Sequence, residues 1–125
     1  MSDLQPEEIV KRLRQTINKG KMGKDYTIIP RDKNNLLREK YLIDDSKIKA
    51  ILLDITVDDY VCSDDSINED YPDDVVHVFN KNVHLIPRYS ENIEREQVRL
   101  YIKFTWTKAE YGNLIFISFH EWEGK

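Results

Sequence analysis

The chain has 125 residues, a formal net charge of −4 and one cysteine, Cys62. This length is typical of a single globular domain. One cysteine excludes an intrachain disulfide and a zinc site built from several cysteines. The apolar runs are too short to span a bilayer, and the acidic N-terminal stretch has no signal-peptide pattern. A reducing cytoplasm is therefore the expected location.

The charge is distributed unevenly along the chain. Residues 1–50 hold 12 Lys or Arg against 8 Asp or Glu, and residues 76–125 hold 7 against 6. Residues 51–75 hold 9 Asp or Glu and no Lys or Arg. Electrostatic attraction acts over about 8–10 Å at physiological salt, so local patches matter more than the total. The negative total therefore does not exclude a nucleic-acid partner.

The first half of the chain has helical patterns. Ile9, Leu13 and Ile17 recur at intervals of four, which predicts an amphipathic helix from Pro6 to Asn18. A short extended piece follows at 26–29. Two further helices are predicted, one capped by Asp32 and running to about residue 41, the other capped by Asp44 or Asp45 and running through residue 55. Thr56 offers an N-cap for a last turn.

The second half has strand patterns. After an acidic loop at about 63–74, residues 75–79, 97–107 and 113–120 are predicted strands, and residues 82–96 a connection. Glu110-Tyr111-Gly112-Asn113 favours a hairpin turn between the last two strands. The predicted fold is α+β, with N-terminal helices packed on a mostly antiparallel sheet of about three or more strands.

Strand alternation predicts which side chains share the outer face of this sheet. In the long strand Leu100, Ile102 and Phe104 fall on one side, and Tyr101 and Lys103 on the other. If the apolar sides of all three strands pack on the helices, the outer face displays His77, Tyr101, Lys103, Ser118 and His120, with Lys81 just past a strand end.

These residue types suit metal-independent cleavage of RNA. Attack by the 2′-hydroxyl needs a base, an acid for the leaving oxygen and cations for the charge that develops on the phosphate. The same residue types also occur on the solvated face of any antiparallel sheet. Alternation alone therefore leaves open whether this face is functional.

Several short segments resemble, in order and spacing, those of a known family. The first half contributes Ile29-Pro30-Arg31-Asp32-Lys33-Asn34, Leu36-Leu37 and Leu53-Asp54-Ile55-Thr56-Val57-Asp58-Asp59-Tyr60. The second half contributes Val76-His77-Val78-Phe79-Asn80-Lys81, Tyr101-Ile102-Lys103 and Ile117-Ser118-Phe119-His120-Glu121. Over residues 7–123 the chain resembles the MqsR family of toxins from type II toxin–antitoxin systems.

The resemblance implies a RelE-like fold and the activity of an mRNA interferase, a sequence-selective endoribonuclease. It implies two partners, mRNA and a cognate antitoxin that in this family often carries a zinc-binding N-terminal domain. No cofactor, metal or membrane partner is expected. Residues 1–125 are then one toxin domain.

The family's active site has a tyrosine in the long strand and a basic residue near the end of the last strand, positions matched by Tyr101 and His120. We expect His120 to exchange the proton, Tyr101 to orient or protonate, and Lys103 or Lys81 to hold the phosphate. The candidate catalytic residues are Tyr101, His120 and Lys103, and the candidate substrate-binding residues are Lys81, His77 and Arg99.

Two positions depart from the family pattern. Cys62 stands near where some members have lysine, and Val78 fills a polar position of the first strand, with His77 beside it. An alternative is therefore a catalytically inactive protein-binding or RNA-binding module of the same fold. Three other interpretations are less favoured. A Cys62 nucleophile has no basic residues near it in the sequence, and the spacing of His77, His84 and His120 fits no metal-ligand motif. The acidic loop lacks the alternation and central glycine of a calcium-binding EF-hand.

Overall fold

The computed structural model describes residues 5–21, 24–64, 75–88, 94–106 and 114–122. Within these ranges, three α-helices and a short 3₁₀ helix pack on a curled sheet of six strands. The elements are α1 (Pro6–Lys19), β1 (Tyr26–Ile28), α2 (Asp32–Lys40), β2 (Tyr41–Leu42), α3 (Asp45–Leu53), the 3₁₀ helix (Val57–Asp59), β3 (Tyr60–Asp64), β4 (Val76–Pro87), β5 (Glu96–Trp106) and β6 (Leu114–Glu121). The predicted α+β class is confirmed.

The helices form where the sequence predicts them. Ile9, Leu13 and Ile17 of α1 are fully buried, as their spacing requires. The side chain of Asp44 caps α3 by accepting a hydrogen bond from the backbone N–H of Lys47. The expected cap of α2 is wrong, because Asp32 is its first helical residue and Arg31 occupies the N-cap.

The sheet has the strand order β1-β6-β5-β4-β2. The pairs β6–β5, β5–β4 and β4–β2 are antiparallel, and β1 joins β6 in parallel. β3 pairs with the first part of β4, beside the segment that β2 covers further along. β4 therefore pairs with β3 and β2 along one edge and with β5 along the other. At the opposite side of the sheet, residues 26–28 of β1 pair with residues 114–116 of β6.

The structure corrects two boundaries. β4 continues to Pro87, so the connection predicted from residue 82 is wrong for its first six residues. β3 was not predicted, and it takes up the first two positions of the expected acidic loop. The rest of that loop, 65–74, and the expected hairpin turn at 110–113 lie outside the described residues.

One side of the sheet faces the helices and holds the core. Leu100, Ile102 and Phe104 of β5 are fully buried there, against the apolar residues of α1 and α3, as the alternation predicts. None of the described helices has the length and apolar character needed to cross a membrane.

The alternation predicted for β4 is wrong. Phe79, Val83 and Leu85 belong to the core cluster, whereas Val76 and Val78 lie on the outer face. Consequently His77, two residues before Phe79, also faces the helices. The predicted strand 75–79 has four apolar residues in five positions, so its sequence does not show which side chains face the core.

β6 changes its phase part-way because it contains a bulge. Lys103 pairs with Ser118, but the next residue, Phe104, pairs with Phe116, so Ile117 is the extra residue. Phe116 therefore faces the core, whereas unbroken alternation with Ser118 and His120 would place it on the outer face. Ser118 lies on the outer face as expected.

His77 is buried in an apolar setting on the helix side of the sheet. Its ring lies 5.7 Å from that of Phe104 and 5.8 Å from that of Trp106. Its Nδ1 is 2.7 Å from the hydroxyl of Ser63. Burial, with a smaller contribution from the charge of Arg12, lowers the pKa of His77 from 6.5 to about 4.

We expect His77 to weaken the fold in acid. The unfolded chain binds a proton near pH 6.5 and the folded protein only near pH 4, so the free energy of unfolding should fall as pH drops through this window. The loss should reach about 2–3 kcal/mol. The measurement is urea unfolding at several pH values for wild type and His77→Gln. The two proteins have the same carboxyl groups, so the pH dependence of their unfolding free energies should differ only through His77. Equal slopes of unfolding free energy against pH between 6.5 and 4 would contradict this assignment.

Candidate functional site

The outer face of the sheet brings polar side chains from three strands into register. Tyr101 of β5 pairs with His120 of β6 and, on its other side, with Asn80 of β4. The rings of Tyr101 and His120 lie 5.5 Å apart at 32°. Lys103 is paired in the same way with Ser118. Two adjacent rows of paired positions therefore place a phenol, an imidazole, an amine and a hydroxyl on one surface.

This surface forms the floor of an open cavity of about 320 Å³, which we call the sheet-face cavity. The strands supply its floor and α2 supplies one wall. Its lining residues are Arg31, Lys33, Asn34, Tyr101, Lys103, Ser118, His120 and Trp122. Three cations thus surround a tyrosine and a histidine, an arrangement suited to a phosphate-containing ligand.

The side chain of Asn34 fixes α2 against the edge of β6. Its amide nitrogen donates to the carbonyl oxygens of Ile29, at 2.9 Å, and of Ile117, at 3.0 Å. Its carbonyl oxygen accepts from the backbone N–H of Phe119 at 2.8 Å. The amide thereby pairs with backbone groups of β6 at the bulge, as a neighbouring strand would. It places the start of α2, with Arg31, beside the cavity.

Lys103 is half-buried among these groups. Loss of hydration lowers the pKa of its ammonium, and the positive charge of Arg31 lowers it further. Lys103 therefore gives up a proton more readily than an ordinary surface lysine.

The pKa of Tyr101 is shifted in the direction that keeps its phenol protonated. Burial raises the pKa of its phenol, and Cys62 raises it further. Tyr101 is consequently a neutral hydrogen-bond donor at neutral pH and a poor base.

The environment of His120 selects one tautomer. Its Nδ1 lies 2.8 Å from the backbone carbonyl oxygen of Glu121. A carbonyl oxygen only accepts hydrogen bonds, so Nδ1 carries the proton. In the neutral ring Nε2 then holds an available lone pair, the form required of a general base.

The structure brings four of the six predicted site residues to the outer face. Tyr101, Lys103 and His120 line the cavity together. Arg99 lies further along the same side of β5, where its guanidinium stacks on the ring of Trp122 at 4.5 Å.

The other two predicted site residues lie on the opposite face, so their assignment to the outer face is wrong. His77 is buried in the core, as described above. Lys81 lies inside β4 rather than beyond it, and its ammonium donates to the backbone carbonyl of Asp54 at 2.9 Å. It also forms ion pairs with the carboxylates of Asp54 and Asp59, at 3.2 and 3.5 Å. Its role is to join β4 to the end of α3.

Three residues were missed as candidates, two on the α2 wall of the cavity and one on the outer face of the sheet. Arg31 is the N-cap of α2 and Lys33 its second residue, and only the packing of α2 on β6 brings them to the cavity. Asn80 lies two residues beyond Val78, so the correct phase of β4 would have found it. Its side-chain oxygen is buried and has no hydrogen-bond partner among the described residues.

A larger cavity, of about 520 Å³, lies at the β2–β4 edge. Its lining is apolar in part and also includes Asp44, Ser46, Lys47, His84, Arg88 and Arg95. It lacks the tyrosine–histidine pair, so the sheet-face cavity is the better candidate for chemistry. Within the described ranges, no three His, Cys, Asp or Glu side chains are grouped to hold a metal ion.

Comparison of the chain with protein-family models, curated proteins and solved structures found no match.

The hydrogen bonds between the Asn34 side chain and β6, which we call the Asn34 bridge, should make a large single contribution to stability. Asn34→Ala leaves the N–H of Phe119 and the carbonyl of Ile117 without this partner, which should cost about 2–4 kcal/mol of unfolding free energy. Asn35→Ala, at the exposed neighbouring position, is the matched control and should change it by under about 0.5 kcal/mol. Urea denaturation measures both. Equal effects would show that the bridge contributes nothing specific.

Lys81 and Lys103 should respond differently to the same substitution. Lys81→Met leaves Asp59 and the Asp54 carbonyl without their cation and should lower the unfolding free energy by about 1–3 kcal/mol. Lys103→Met removes a half-buried charge beside Arg31 and should be neutral or stabilising. Thermal and urea unfolding of the pair provide the measurement, and a stability loss confined to Lys103→Met would reverse these roles.

Proposed function

We propose that this protein is a toxin of the MqsR type, an mRNA endoribonuclease of RelE-like fold that acts in the cytoplasm and is held in check by a cognate antitoxin. The observation that carries the proposal is the sheet-face cavity, where Tyr101, His120 and Lys103 meet Arg31 and Lys33. The resemblance of residues 7–123 to that family supports the same reaction, which needs no metal or cofactor.

The cations of the cavity bind the scissile phosphate. Arg31 offers a planar guanidinium that matches the oxygens of a phosphate, and Lys33 lies on the same wall. Their charge also stabilises the dianionic phosphorane that forms when the 2′-oxygen attacks phosphorus.

His120 and Lys103 move the protons. Nε2 of His120 takes the proton of the 2′-hydroxyl as the 2′-oxygen bonds to phosphorus. The bond from phosphorus to the 5′-oxygen breaks, and Lys103, whose pKa is lowered, gives that oxygen a proton. Tyr101 keeps its own proton and orients the phosphate by donating a hydrogen bond. The products are a 2′,3′-cyclic phosphate and a 5′-hydroxyl.

The activity is tested with purified variants on a long single-stranded RNA in the presence of a metal chelator. His120→Ala should lower the cleavage rate by about 10²–10⁴, the contribution of a general base. Tyr101→Phe and Lys103→Ala should lower it by at least about tenfold each. Lys11→Ala is the matched control, because it removes one exposed lysine from α1, on the other side of the sheet, and should cleave at the wild-type rate.

Induced expression provides the cellular counterpart of this test. Wild type and Lys11→Ala should arrest growth with loss of mRNA, and His120→Ala should not. If well-expressed wild type neither cleaves RNA nor arrests growth, the cavity belongs to a binding module without catalysis, and the ribonuclease proposal is wrong.

A further inference from the structure

A second, smaller cavity adjoins the sheet-face cavity. We call it the side cavity. It measures about 220 Å³ and lies between α2 and the end of β6. Its main lining residues are Lys33, Leu36, Lys40, His120, Glu121 and Trp122. Lys33, His120 and Trp122 line both cavities, so a ligand held in one extends directly into the other.

Trp122 supplies a flat aromatic surface at this junction. The residue is 37% exposed, yet the position of its ring is fixed in two ways. The guanidinium of Arg99 stacks on the ring at 4.5 Å, and the backbone N–H of Trp122 donates to the carbonyl of Arg99 at 2.8 Å. Such a platform loses little conformational freedom when another ring stacks on it.

The remaining lining of the side cavity is apolar in part and otherwise charged. Leu36 of α2 is 49% exposed and adds an apolar contact. Lys40 and Glu121 form an ion pair at 2.5 Å that supplies both a donor and an acceptor. An exposed indole and an exposed leucine next to a cationic pocket suit a ligand that has a planar ring attached to a phosphate.

We infer that the side cavity is a nucleobase subsite, in which the base next to the scissile phosphate leaves its stack and packs on Trp122. This inference rests on the proposed function, since the sheet-face cavity must hold the phosphate. A base inside a duplex is covered on both faces by its neighbours and cannot reach the indole. The substrate class is therefore unpaired RNA, and Trp122 is the residue that excludes duplexes.

Binding to short oligonucleotides whose 2′-hydroxyls are replaced by hydrogen tests the subsite without cleavage. Fluorescence anisotropy gives the affinity for the intact strand, for its duplex, and for strands that lack one base at each position in turn. Trp122→Ala should weaken binding of the intact strand about 10-fold, the contribution of one stacked base. Trp122→Phe, which keeps an aromatic ring, should recover most of this loss.

Coupling between the indole and one base is the decisive readout. In the wild type, removal of one particular base should weaken binding about as much as Trp122→Ala does. In Trp122→Ala, removal of that base should cause no further loss. The duplex should bind the wild type more weakly than the single strand, and this preference should shrink in Trp122→Ala.

The outcomes separate this inference from the ribonuclease proposal. Wild-type affinity in Trp122→Ala, or equal base-removal losses in both proteins, overturns the subsite even if the RNA is cleaved. Coupling at one base in a protein that does not cleave RNA supports the subsite and overturns the catalytic proposal. A side cavity that instead accepts an apolar peptide would show no coupling to any base, and this too overturns the inference.

Discussion

The outer face of the sheet depends on one buried amide. The side chain of Asn34 pairs with Ile117 and Phe119 at the bulge of β6, where β1 no longer covers the strand edge. Without this bridge, the N–H of Phe119 would lose its partner and the carbonyl of Ile117 would keep only a long contact of 3.5 Å with Arg31. The bulge sets the phase that turns His120 outward, and the bridge places Arg31 opposite it. Arg31 and His120 therefore line one cavity through the combined effect of the bulge and of the Asn34 side chain.

Burial tunes the chemistry of this surface more than any one ion pair does. The same loss of hydration lowers the pKa of Lys103, raises that of Tyr101 and, across the sheet, holds His77 neutral. Arg31 adds to the effect on Lys103 through its charge. Burial thus makes the ammonium of Lys103 more acidic, keeps the phenol of Tyr101 protonated and leaves His77 uncharged in the core.

The sequence predicts well those elements in which one period dominates. α1 and β5 have clear repeats of about four and of two, and both their bounds and their buried sides agree with the structure. For β4 the pattern predicts only residues 75–79, which are too few to fix its phase. Its continuation through Val83 and Leu85 would have placed Phe79 inward and Asn80 outward. In β6 nearly every residue from 114 to 119 is apolar, so no pattern marks the bulge. Arg31 reaches the cavity through tertiary packing alone, which local patterns do not report.

The pairing of β1 with β6 has a consequence for how the protein is made. The bonds that Asn34 forms with Ile117 and Phe119 join residues 83 and 85 positions apart, and β1 finds its only pairing strand, among the described residues, in β6. Contacts of such separation close a long loop, and they cannot form before β6 has been synthesised. A ribosome that has released α1, α2 and α3 still retains the strand that carries His120. The cavity therefore cannot form until β6 has left the ribosome, and any activity that the cavity supports begins only then.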